Sequence, residues 1–95
     1  MPLNQRFSLR IETGVEQLRS VLDGIQTMLD QHPFIERRTP RIRVANLVGA
    51  AFELELWAFA ETADWPQFTV IRQDVILKIA EIVGVVGARF GLPPS

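Results

Sequence analysis

Hydrophobic and polar residues alternate in the middle of the chain, and the spacing becomes helical soon afterwards. Over residues 52–61 every even-numbered position is apolar, which predicts a strand with one buried face. Beyond Asp64 apolar residues recur at steps of three and four, which predicts a helix with Asp64 as its N-cap and Pro66 in its first turn. The apolar stripe of this helix consists of Phe68, Ile71, Val75, Ile79, Ile82 and Val86.

A strand and a helix are also predicted in the first third of the chain. The strand ends at Thr13, and its alternating apolar residues are Phe7, Leu9 and Ile11. Thr13 and Glu16 have the spacing of a capping box, which predicts a helix that ends before Pro33. Gly24 either weakens this helix or lets another element pack closely against it. The predicted apolar stripe consists of Val15, Leu18, Val21, Leu22, Ile25, Met28 and Leu29.

A hairpin and a last strand complete the pattern. Ile42 and Val44 belong to a second strand, and residues 48–51 form the turn into the middle strand. Gly84 and Gly87 mark the end of the second helix, and residues 88–92 form a short strand that Pro93-Pro94 stops.

The order of elements is therefore strand, helix, strand, strand, helix, strand. This order predicts an α+β fold, a ferredoxin-like two-layer sandwich with an antiparallel sheet of order 4-1-3-2 and both helices on one face. The middle strand then lies inside the sheet, with Glu53 and Glu55 on the uncovered face. Their expected neighbours on the first and second strands are Arg6, Arg10, Arg41 and Arg43.

Composition limits the chain to one domain, residues 1–95, without a strong electrostatic preference for a partner. Ten basic and eleven acidic residues nearly cancel, so no net field attracts nucleic acid or anionic lipid. No cysteine is present, which excludes disulfides and thiolate metal sites. The longest uncharged run is far shorter than the roughly 20 apolar residues that a membrane helix needs, so we expect no direct membrane contact by this segment.

An apolar surplus points to an interaction surface. Hydrophobic residues make up 47% of the chain, which is high for a small domain with a large surface-to-volume ratio. Trp57 and Phe59 are expected on the open sheet face, where they would form the candidate interaction surface for a neighbouring domain or subunit. Simple exposure or coverage by the chain itself is the alternative. RNA stacking is disfavoured because Glu53, Glu55 and Glu61 would repel phosphates.

The residues that could support catalysis are few and isolated. His32 is the single histidine, and any partner would have to come from a distant carboxylate or serine. Gly14 at a helix start hints weakly at an anion site, but the capping box accounts for it. Acylphosphatase-like chemistry would require an arginine in that loop, and residues 13–17 contain none. We therefore predict no enzymatic activity, no cofactor and no metal site.

Several motifs resemble the C-terminal region of the small-conductance mechanosensitive channel (MscS) family. They are Arg6-Phe7-Ser8-Leu9-Arg10-Ile11, His32-Pro33, Thr62-Ala63-Asp64-Trp65, Ile71-Arg72-Gln73-Asp74-Val75 and the ending Gly87-Ala88-Arg89-Phe90-Gly91-Leu92-Pro93. The resemblance covers about residues 4–95. It implies a domain on the cytoplasmic side of the cell membrane, within a channel for ion transport under osmotic stress.

By the same resemblance, seven copies build a cytoplasmic cage in the intact channel. We expect the isolated segment to be soluble and to form a monomer or a small oligomer, because the elements that hold seven copies together are missing from it. The chain is either an excised fragment or a free-standing homologue. The alternative function is a ferredoxin-like regulatory module that binds a small ligand at a subunit interface, and a small enzyme is a third class.

Overall fold

A three-stranded antiparallel sheet and two helices form the core of the domain. The computed structural model describes residues 1–38 and 40–91. The elements are β1 (Pro2–Arg10), α1 (Val15–Gln31), β2 (Arg41–Val48), β3 (Ala51–Phe59) and α2 (Trp65–Val86). The strands lie in the order β1-β3-β2, so the middle strand is inside the sheet as predicted. Buried side chains of both helices form one core with Leu54, Leu56 and Ala58 of β3.

Strand β1 begins earlier than the alternation predicts. It starts at Pro2, because Leu3 lies opposite Ala58 in the register and is fully buried. At its other end the prediction for Ile11 was wrong. The strand stops at Arg10, and Ile11 is exposed rather than part of the core.

Helix α1 follows its predicted stripe but begins without a capping box. Leu18, Val21, Ile25 and Leu29 are buried, whereas Val15 is exposed, contrary to prediction. The capping box was also wrong. The N-cap is Gly14, without a side-chain hydrogen bond, because the helix begins one residue too late for Thr13 to occupy the capping position. The predicted C-terminus is confirmed, since the helix ends at Gln31 and His32 is extended before Pro33.

The two helices are in close contact at Gly24. A Cβ atom built on Gly24 would lie 3.0 Å from Cγ2 of Ile82, so the space for a side chain is already occupied by α2. Close packing, the second of the two roles considered for this glycine, is therefore the observed one.

The β2–β3 hairpin is confirmed. Val48 pairs with Ala51 across a two-residue turn, and Gly49 there has a φ of 57°, a left-handed conformation that favours glycine. The register shifts between Val44 and Asn46, which marks a β-bulge. Val44 lies opposite the buried Leu54, yet it is exposed, and it adjoins the bulge.

Helix α2 has both of its predicted ends, with one correction. The Asp64 carboxylate accepts a hydrogen bond from the Gln67 N–H at 3.1 Å, which confirms the N-cap. At the C-terminus Gly87 has a φ of 85° and donates to the carbonyls of Val83 and Gly84. Gly84 was predicted to mark the end of the helix as well, but it lies inside the last turns.

A short segment after α2 lies against the free edge of β1. Phe90 forms an isolated antiparallel bridge with Leu9, and the Arg10 N–H donates to the Arg89 carbonyl at 2.9 Å. The Gly91 N–H donates to the Ser8 carbonyl at 2.7 Å. The structure thus has a bridge where a strand over residues 88–92 was predicted. Leu92 and the stop signal Pro93-Pro94 lie outside the described residues.

Candidate interaction surfaces

The open face of the sheet carries the aromatic pair that the sequence singled out. Trp57 and Phe59 alternate with the buried Leu56 and Ala58, so they point away from the helices. Their exposures are 41% and 45%, which leaves a large part of each ring accessible. Because the core covers the other face of β3, the exposed parts of these rings lie on the side of the sheet opposite the helices.

Glu55 on the same face lies between two arginines, as predicted. Its register partners are Arg6 on β1 and Arg43 on β2, and the Arg6 guanidinium forms an ion pair with the Glu55 carboxylate. The corresponding prediction for Glu53 was wrong. Its direct partners are Ser8 and Asn46, because the arginines of β1 are four residues apart and a serine separates them.

Helix α2 presents a second apolar surface, which the sequence analysis missed. Val70, Ile76 and Leu77 are exposed on the side of the helix away from the core. With Thr69, Arg72 and Gln73 they line a shallow cleft of about 390 Å³. The signal was present in the sequence, since these apolar residues lie off the predicted core stripe. A helix with apolar residues on nearly all sides is typically covered by protein on more than one side.

An aromatic cluster lies at the start of α2. The rings of Trp65 and Phe68 stack with their centroids 5.4 Å apart. The Arg72 guanidinium lies over both rings, 5.8 Å from the centroid of Trp65 and 5.6 Å from that of Phe68. The Arg72 guanidinium, which also lines the apolar cleft, is thus held over these two rings.

His32 has a structural environment, and its partner is the distant carboxylate that sequence alone could not identify. In its buried ring, Nδ1 accepts a hydrogen bond from the Phe34 N–H with an N–N distance of 3.1 Å, and Nε2 lies 2.7 Å from Oδ2 of Asp74. Since Nδ1 accepts, Nε2 carries the proton and donates it to Asp74. Nε2 therefore ties the end of α1 to α2, while Nδ1 fixes the segment that follows the helix.

Asp74 also accepts from the Lys78 ammonium at 2.7 Å. The hydrogen bond from Lys78, followed by that from His32, holds the pKa of Asp74 below its ordinary value of 3.8. A cleft of about 1010 Å³ opens beside His32, but the residues around it carry mixed charges. Among residues 1–38 and 40–91 no cluster of three or more His, Asp or Glu side chains could hold a metal ion.

Neither helix in the described ranges has the length and apolar character required to cross a membrane. In α2 four charged residues interrupt the apolar sequence, namely Arg72, Asp74, Lys78 and Glu81.

Comparison with known proteins identifies relatives across nearly the whole chain. Residues 4–90 match the family model described as mechanosensitive ion channel MscS, C-terminal. The chain is 30% identical over 94 residues to the low conductance mechanosensitive channel YnaI of Escherichia coli strain K12, covering 95% of this chain and 27% of that protein. It is 26% identical over 89 residues to the uncharacterized MscS family protein YhdY of Bacillus subtilis strain 168, covering 92% and 24%.

A solved structure has the same fold. The cryo-EM structure of Arabidopsis thaliana MSL1 superimposes with a TM-score of 0.87 at 15% identity, covering 97% of this chain and 34% of that one. The chain thus spans about a quarter of the length of the two bacterial relatives and a third of the plant protein.

Proposed function

The chain belongs to the family of C-terminal domains of MscS mechanosensitive ion channels, and from this premise we propose that it is a non-catalytic assembly module. In this role it forms part of the oligomeric cage on the cytoplasmic side of the cell membrane. The observation that carries the proposal is the exposure of Trp57 and Phe59 on a sheet whose other face is already covered. Aromatic side chains in such positions are enriched in protein interfaces.

The charges around the aromatic pair support protein contact rather than nucleic-acid binding. Arg6 and Glu55 neutralise each other beside it, and Glu53 and Glu61 would repel phosphates. We propose that the partner is a copy of the same chain, with no nucleic acid and no direct membrane contact by this segment.

The complete sheet is proposed to have the ferredoxin-like order 4-1-3-2. The bridge between Leu9 and Phe90 supports it, because it places the segment after α2 beside β1, on the edge opposite β3. This arrangement leaves β2 at the other edge of the sheet and keeps β3 inside.

The intact channel is proposed to be a homoheptamer, whereas the isolated chain associates only weakly. A small interface barely offsets the loss of translational and rotational freedom unless a tether raises the local concentration of copies. The isolated chain is therefore expected to be a monomer or a small oligomer at micromolar concentration.

Light scattering across a micromolar to millimolar concentration series tests this proposal. Trp57→Ser should move the average mass toward the monomer, and Leu77→Ser tests the cleft on α2 in the same way. Ile11→Ser is the matched control, because Ile11 is equally exposed but does not belong to either surface. If Trp57→Ser and the control have the same average mass, the open sheet face does not take part in the association. A stable heptamer formed by the unaltered chain would contradict the weak-contact claim.

A further inference from the structure

A cleft of about 350 Å³ lies at the start of α1, on the side of the domain where the segment after α2 meets β1. It is lined by Arg10, Glu12, Thr13, Gln17, Gly87 and Arg89. Two arginines against one glutamate leave a net positive charge at its walls. The volume is within the usual range for a small-molecule site.

The backbone holds the two arginines together. The Arg10 N–H donates to the Arg89 carbonyl at 2.9 Å, and the neighbouring residues Leu9 and Phe90 form the antiparallel bridge. In the part of the chain that the structure describes, neither guanidinium lies within ion-pair distance of a carboxylate. Both charges are therefore available to a ligand.

The N-terminus of α1 adds partial positive charge next to the cleft. No side chain caps it, because Gly14 is the N-cap, so the first N–H groups of this 17-residue helix lack the partner that a capping box would supply. The sequence analysis attributed the weak anion-site signal at Gly14 to a capping box. The structure removes that explanation, and it brings arginines from β1 and from the segment after α2 to the same place.

Thr13 is an independent indication of a ligand. It lines the cleft and is only 4% exposed. Its hydroxyl makes no hydrogen bond to any residue within the described ranges, although its backbone N–H donates to the Arg10 carbonyl. No fully buried side-chain polar atom among the described residues lacks a partner, so this hydroxyl opens onto the cleft, where it can donate to an oxygen of a bound anion.

Gln17, which also lines the cleft, is fixed in place. The Gln17 side-chain amide donates to the Val86 carbonyl at 3.3 Å, which ties the first turn of α1 to the last turn of α2. The cleft is thus formed by three segments that hydrogen bonds hold together, and its shape does not depend on a free loop.

We propose that this cleft binds a small phosphate-type oxoanion. Arg10 and Arg89 supply charge-assisted hydrogen bonds, the Thr13 hydroxyl supplies a neutral one, and the helix N-terminus stabilises the negative charge. Glu12 lowers the total positive charge of the walls, so a compact anion is favoured over a polyanion.

Thermal unfolding in sodium phosphate, compared with sodium chloride at matched ionic strength, tests the proposal. Inorganic phosphate should raise the Tm in a saturable manner, because it binds only the folded chain. Phosphate also stabilises proteins generally by exclusion from their surface, so variants must separate the two effects. Arg89→Gln should weaken apparent phosphate affinity about tenfold or more, and Arg19→Gln, an exposed arginine on α1 outside the cleft, should leave it unchanged.

Two further measurements keep the test decisive if one variant folds poorly. Thr13→Val should also weaken phosphate binding, and phosphate should shift the amide NMR signals of residues 13–17 more than those at the far end of α1. Equal phosphate effects on Arg89→Gln and Arg19→Gln, or uniform shifts along the chain, would overturn the proposal.

Discussion

The two helices pack on the same core, yet their outer faces differ in chemistry. Outside the core, α1 exposes Glu16, Arg19, Asp23 and Asp30, which water solvates well. The outer side of α2 instead exposes Val70, Ile76 and Leu77. The charges of α2 lie nearer its flanks, where Arg72 covers two aromatic rings and Asp74 contacts His32. The outer side of α1 is therefore suited to contact with solvent, whereas the outer side of α2 is suited to contact with another protein surface.

Because of this difference α2 has two roles, which substitutions on its inner side and on its outer side can separate. Its inner side stabilises the domain, and its outer side together with the open sheet face is available to neighbouring copies. The side of the domain formed by α1 is expected to face solvent in an assembly, because desolvating its charges would cost free energy without pairing them.

The largest expected effect comes from an isoleucine pair on α2. Ile79 is 4% exposed and Ile76 is 40% exposed, although they are one turn apart. Ile79→Ala should lower the free energy of unfolding by about 2–5 kcal/mol, because it leaves a cavity in the core. Ile76→Ala should lower it by less than about 1 kcal/mol. Urea denaturation of both variants measures the contrast, and equal losses would mean that the outer side of α2 also belongs to the core.

A glycine pair should give smaller changes of opposite sign. Gly24→Val on α1 should destabilise by about 1–3 kcal/mol, since its side chain would enter the space that Ile82 occupies. Adding Ile82→Ala to that variant should recover part of the loss. Gly84→Ala on α2 has open space and should stabilise by about 0.5–1 kcal/mol. Urea denaturation also measures these changes in the free energy of unfolding. A Gly24→Val variant as stable as the unaltered chain would disprove the close helix contact.

The smallest effect concerns pH and the contact between the ends of the two helices. Because the folded-state pKa of Asp74 is lowered, its contribution to stability is present above its unfolded-state pKa and is lost as pH falls through the folded value. Asp74→Asn should therefore reduce stability near neutral pH, and the difference from the unaltered chain should shrink on acidification. The expected size is at most about 1 kcal/mol, since the carboxylate is 43% exposed and solvent screens its interactions. Chemical denaturation at several pH values measures this, and a difference independent of pH would exclude the ionised carboxylate as its source.

Local patterns in the sequence were sufficient for most elements and for the candidate sheet surface. The period-two alternation placed Trp57 and Phe59 on the face opposite Leu56, because neighbouring side chains of a strand must point to opposite sides. Asp64 and Pro66 predicted the start of α2, since capping depends on residues adjacent in the chain. The hairpin turn around Gly49 follows from the same kind of local constraint.

Predictions failed where coverage depends on distant elements. Ile11 and Val44 satisfy the alternation but are exposed. Ile11 follows the end of β1, and Val44 adjoins the bulge of β2. The sequence also missed the outer side of α2, since only the packed structure shows which of its many apolar residues remain uncovered.

The sequence by itself determined the order of the elements, the orientation of the aromatic pair and the membership of a channel family. Only the tertiary structure decided the contacts between residues far apart in the chain. His32 meets Asp74 across 42 positions, and Arg89 joins Arg10 and Thr13 beside an uncapped helix. The physical reason is that side-chain period and capping are local properties of the backbone, whereas a cleft or a buried hydrogen bond exists only after several segments have packed together.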